Sequence, residues 1–183
     1  MLRRPFGLPV GRVEVGAIPP ALRRANQLMA SGQYVEAAGI FEQFANGALS
    51  RNGPRAPWFL LQAGHARILA GQVPAGMEHI QRGLALFTMR GQLQRMNHAG
   101  LRFVIELKAQ GLTAEVNQIE NYLKTNLPAG FVSGIGTSAG KPRPVLPTTC
   151  PGCGGPIRSD EVEWNDELTA ECPYCGSVIR VQR

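Results

Sequence analysis

The chain has 183 residues, a formal net charge of +6 and a hydrophobic fraction of 44%. That length suits one ordinary domain with a small appendage, and the apolar share is that of a packed protein rather than a disordered one. No apolar run approaches the roughly 18 residues that mark a membrane-spanning helix.

The charge is unevenly placed. Residues 1–20 hold three arginines and one glutamate, and residues 21–127 hold eleven Lys/Arg against six Asp/Glu. From Thr148 onward the sign reverses, with three arginines against six carboxylates. The basic character therefore belongs to the body of the chain and not to its cysteine-bearing end.

Residues 1–19 read as an N-terminal arm. Its early arginines suggest a leader, but Pro5, Pro9, Arg12 and Glu14 interrupt any apolar core, so it does not read as a signal peptide. The expected compartment is the cytoplasm, where paired cysteines more often hold metal than form disulfides.

Residues 20–126 read as helical throughout, because apolar residues recur three and four apart. Leu22, Ala25, Leu28 and Met29 share one face; Ala37, Ile40, Phe41 and Phe44 share the next. The same spacing links Trp58, Leu61, His65, Ile68 and Leu69, then Met77, Ile80, Leu84 and Phe87. It continues through Leu93, Met96, Leu101, Val104 and Leu107, and ends with Val116, Ile119 and Leu123. Pro20, Pro57 and Pro74 sit near the expected starts, where a missing N–H costs nothing. That predicts about six helices. "NGALSRNGPRAP", residues 46–57, reads as a long loop among them.

The punctuation repeats: Gly32, Gly71 and Gly111 fall at intervals of 39 and 40 residues. Each ends one amphipathic segment with a residue that accepts positive φ cheaply. A period near forty residues predicts stacked helical hairpins. The first unit resembles a tetratricopeptide repeat, through Ala25, Gly32-Gln33-Tyr34, Ala37 and Phe41. The second keeps Gly64, Gly71 and Ile80 in matching places, with Gly76 where alanine is usual, and the third keeps little beyond Gly111.

Residues 127–148 are rich in glycine, proline and serine, with no apolar period, and read as a flexible linker. About twenty such residues have a root-mean-square reach of roughly 25 Å.

Residues 149–183 carry all four cysteines, as Cys150-x2-Cys153 and Cys172-x2-Cys175 with eighteen residues between the pairs. Two residues between cysteines let one tight turn aim both sulfurs at a single ion, so the four form a candidate metal site. Gly154 and Gly176 follow the pairs, and Pro151 and Pro173 stiffen them. Val162 and Trp164 alternate into a turn at Asn165-Asp166, Leu168 and Ala170 alternate back, and "SVIRV" supplies a third strand. The module resembles a zinc ribbon. The predicted fold class is thus an all-α helical repeat followed by a small β ribbon, with one structural Zn²⁺ on Cys150, Cys153, Cys172 and Cys175. A rubredoxin-like iron site shares this spacing and stays open; a thioredoxin-like redox pair is disfavoured because no βαβ pattern accompanies either motif.

His65, His79 and His98 form no ligand pair by spacing, and "GIGTSAG" lacks the lysine of a phosphate loop. No catalytic constellation stands out. The expected function is a non-catalytic adaptor in a cytoplasmic complex. The tetratricopeptide resemblance implies a partner surface on the first helix of each repeat, where Asn26, Gln27, Gln62, Arg67, Asn97 and Arg102 would line it. Their basic balance suits an acidic protein segment, and the acidic ribbon itself could dock on the basic body. The alternatives are an RNA- or transcription-associated protein that meets phosphate through the helical body, and an iron electron carrier.

Overall fold

A computed structural model describes residues 18–129, 131, 144–159 and 162–181. The expected N-terminal arm up to residue 17, and most of the expected linker, lie outside the described residues. Six helices follow one another: α1 (Pro20–Ala30), α2 (Tyr34–Ser50), α3 (Ala56–Leu69), α4 (Val73–Met89), α5 (Leu93–Ala109) and α6 (Thr113–Asn126). Pro20, Pro57 and Pro74 occupy the first or second position of α1, α3 and α4, as their chemistry favours.

Four of the five turns between helices are the same object. After α1 the Gln33 N–H donates to the Leu28 carbonyl at 2.9 Å and the Gly32 N–H to Met29 at 3.3 Å. The pattern returns at Gly71-Gln72, Gly91-Gln92 and Gly111-Leu112, always with the glycine at positive φ. This pair of bonds satisfies the last helical carbonyls and reverses the chain. The forty-residue period of Gly32, Gly71 and Gly111 does not predict the turn at Gly91. The fifth turn is shorter than the predicted loop over 46–57: α2 runs on to Ser50, because Ala45 and Ala48 are buried on it, and only residues 51–55 connect. Arg90, at the end of α4, pins that connection through the Asn52 side chain and the Gly53 and Pro54 carbonyls.

The helices stack in chain order, each on the next, and α3 lies between α2 and α4. It is buried along most of its length. Two glycines let α4 come close: a Cβ on Gly64 would stand 2.7 Å from the Gly76 carbonyl, and one on Gly76 would stand 2.8 Å from the Gly64 carbonyl. Phe41, Leu60, Leu61, Ile80, Phe87, Met96 and Phe103 fill the core along the stack. No helix of the described residues is long and apolar enough to cross a membrane.

The C-terminal module is a three-stranded antiparallel sheet of β1 (Glu163–Trp164), β2 (Thr169–Glu171) and β3 (Val178–Arg180), in that order. Trp164 pairs with Ala170, and Ala170 with Ile179. The β1–β2 turn spans four residues, 165–168, rather than two. Asp166 organises it by accepting from the Leu168 and Thr169 N–H groups and the Thr169 hydroxyl, each at 2.7 Å. Leu168 consequently faces solvent instead of alternating inward. Packing of the module reaches back to buried Leu146, and the Ile157 N–H donates to the Thr148 carbonyl.

Candidate metal centre

The two cysteine pairs sit on matching turns. The Gly154 N–H donates to the Cys150 carbonyl at 2.8 Å and the Gly176 N–H to the Cys172 carbonyl at 2.9 Å. Both glycines hold positive φ there, which closes the turn and aims both sulfurs inward. Backbone N–H groups of Gly152, Gly155 and Tyr174 point at the sulfurs of Cys150, Cys153 and Cys172 at 3.3–3.4 Å.

All four sulfurs are buried and lie within 4.8 Å of one another. Cys150 and Cys175 are 3.8 Å apart, as are Cys153 and Cys172. A disulfide needs about 2.05 Å, so these are free thiols. Four sulfurs at about 2.3 Å from a tetrahedral ion would stand about 3.8 Å from one another. The residues present therefore fit a metal ion of that class.

Crowding splits the acidities of the four groups. Hydrogen bonds from Cys153 and Cys172 bring the Cys150 thiol down to about 7. Hydrogen bonds from Cys150, Cys153 and Cys172 hold Cys175 well below the usual thiol range. Cys153 and Cys172 are pushed far up, chiefly by hydrogen bonding with Cys150. A bound cation would replace those retained protons with a single positive centre.

One neighbour extends the site outward. The Ser177 hydroxyl lies 3.2 Å from Cys175 Sγ, and the Arg55 guanidinium donates to Ser177 Oγ at 2.8 Å. Arginine offers no acceptor, so the serine proton is free to point at the sulfur. Arg55 caps α3, and this chain of contacts ties the metal turns to the helical stack.

The C-terminal module, expected from the sequence as a ribbon, rests on the face made by α1, α3 and α5. From α1, Asn26 Nδ2 donates to the Cys153 carbonyl at 2.7 Å. From α3, Trp58 packs so closely on Gly176 that a Cβ there would overlap its indole nitrogen. From α5, Arg102 donates to the Pro173 carbonyl at 2.9 Å and lies over the Tyr174 ring, while Arg95 pairs with buried Glu171 at 2.9 Å. Ribbon and helices also share one apolar cluster, in which Ile157, Val162, Ala170 and Ile179 join Leu22, Phe41 and Phe59.

The six residues expected on a partner surface are thus divided. Asn26 and Arg102 touch the ribbon. Gln27 is exposed on α1. Gln62 and Asn97 are buried, each with a side-chain amide nitrogen that has no hydrogen-bond partner. Arg67 turns toward α2, where Glu42 accepts from it twice, at 2.7 and 2.8 Å. That pairing holds the Glu42 carboxyl below its ordinary value. His79 reaches the same carboxylate at 3.1 Å, and His65 lies 3.4 Å from Glu106 on α5. Sequence reasoning missed Arg55, Trp58 and Arg95. Their helical spacing was the available signal: 55, 58, 62 and 65 form one stripe of α3, and 95, 102 and 106 one stripe of α5.

No protein-family model, curated protein or solved structure matches this chain.

Proposed function

We propose that this chain is a non-catalytic adaptor, a tetratricopeptide-like array of three helical hairpins carrying a structural zinc ribbon. The observation behind the reading is the recurrent hairpin turn, with the same two backbone bonds at Gly32, Gly71, Gly91 and Gly111. A stack of like units leaves one long face lined by the first helix of each unit, and such faces bind extended protein segments. Here that face carries Asn26, Arg95 and Arg102, which hold the C-terminal module in this structure and whose donors favour an acidic segment in its place. The ribbon's metal is structural in this reading. Three strands of two or three residues each bury too little apolar surface to fold alone, and zinc supplies on the order of 10 kcal/mol.

The test is affinity capture from cytoplasmic extract with the full chain and with R95A/R102A, before and after zinc removal, with metal content measured on each. One zinc per chain is expected, together with a partner set that grows when the zinc is removed and that the double variant loses. Stoichiometric iron would assign the cysteines to an electron carrier. Capture of nucleic acid that falls steeply with salt, with no protein partner, would replace the adaptor reading.

A further inference from the structure

The contacts between ribbon and helices run one way. Asn26, Arg55, Arg95 and Arg102 are all donors, and the ribbon answers with the Cys153 carbonyl, the Ser177 oxygen, the Glu171 carboxylate and the Pro173 carbonyl. Of these acceptors, two carbonyls lie inside the cysteine turns and Ser177 directly follows one. Trp58 is covered by Gly176, the last residue of the second turn. Gln62, on the same stripe of α3 as Trp58, is 3% exposed and keeps an unpartnered amide nitrogen. The face is therefore rich in donors and carries an aromatic, and three of its four polar contacts go to the cysteine turns or to Ser177 beside them, the fourth to Glu171 at the end of β2.

We infer that the ribbon is a metal-dependent cover for this face, and that loss of the metal exposes a surface for an acidic peptide segment. The inference rests on metal binding by the four cysteines and on the adaptor reading, and deepens both. The acceptors hold their positions only while both cysteine turns stay closed, and the short strands cannot close them unaided. Once the turns open, the four donors lose their partners together and the Trp58 indole loses its cover on the Gly176 side, while Phe87 still packs on it from α4. Their replacement must supply carbonyl oxygens and at least one carboxylate, as the Pro173 carbonyl and Glu171 do now. The covered state keeps the face from acidic chains while metal is bound.

The full chain with Trp164→Phe leaves Trp58 as the only indole. Metal content, acrylamide quenching of Trp58 and binding of a fluorescent hexaglutamate peptide are measured before and after zinc removal by a strong chelator under reducing conditions. Expected are one zinc per chain, a shielded Trp58 that becomes quenchable on chelation, and peptide affinity that rises about tenfold. N26A/R102A should retain zinc yet expose Trp58 without chelation, because its substitutions touch the seat and not the sulfurs. Helix content by circular dichroism establishes that the array has stayed folded, and the chelation series alone decides the question if that variant fails to fold. A chain that binds no metal overturns the metal reading and this inference with it. A chain that binds zinc but whose Trp58 stays shielded when the zinc is removed overturns the inference alone. Exposure of Trp58 without a gain in peptide binding refutes the acidic-ligand assignment.

Discussion

Gly39 and Gly64 both lie inside helices, yet alanine at the two positions should move stability in opposite directions. In α2, a Cβ on Gly39 meets nothing within 4 Å, so Gly39→Ala gains only helix propensity, about 1 kcal/mol. In α3, a Cβ on Gly64 would stand 2.7 Å from the Gly76 carbonyl, 2.7 Å from Ile80 Cγ1 and 3.1 Å from the Ile80 nitrogen. Two of those atoms are backbone and cannot rotate aside, so α3 and α4 must separate by several tenths of an ångström. Overpacking of this kind costs about 1–3 kcal/mol. It opposes the same propensity gain, and the net for Gly64→Ala is a loss of up to about 2 kcal/mol. The assay is urea denaturation of both single variants followed by circular dichroism, with unchanged slopes required. A Gly64→Ala midpoint at or above the wild type would refute the close approach of α3 and α4.

Cys172→Ser should abolish stoichiometric zinc binding and unfold the ribbon while helix content remains, as measured by metal analysis and far-ultraviolet circular dichroism. Collapse of the helical signal would mean that array and ribbon fold as one unit. Burial holds the His65 pKa below its ordinary 6.5, against the pull of Glu106 and with help from Arg102. The folded state then binds fewer protons than the unfolded state just below pH 6.5, so this contribution is complete above that value and is lost as pH falls through the folded pKa. Urea midpoints measured down to about pH 5 should fall more steeply for wild type than for His65→Asn, and equal slopes would remove His65 from the account.

Much of this architecture is written in local signals. Gly32, Gly71 and Gly111 announce their turns because a helix that reverses at once needs a left-handed residue there. Gly91 carries the same Gly-Gln signature, but a reading tuned to a forty-residue period passes over a turn that falls halfway along it. The cysteine spacing placed the candidate metal site directly, since ligand geometry at one ion depends on short-range turns. The partner residues were harder. Arg67 and Asn97 were placed by polarity and helix membership, whereas orientation decides contact. At about 100° per residue, Asn97 points roughly 200° away from Arg95, while Arg102 returns to within about 20° of it. The Arg95–Glu171 pair joins residues far apart in sequence, and no local pattern reveals it.

The seat of the ribbon also bears on the mechanics of the molecule. In a stack where each helix packs on its chain neighbours, bending is resisted only link by link, as in a spring. Asn26 on the first hairpin and Arg102 on the third both grip the same small module. The ribbon thus acts as a strut between distant coils, and its release should soften the array along its whole length.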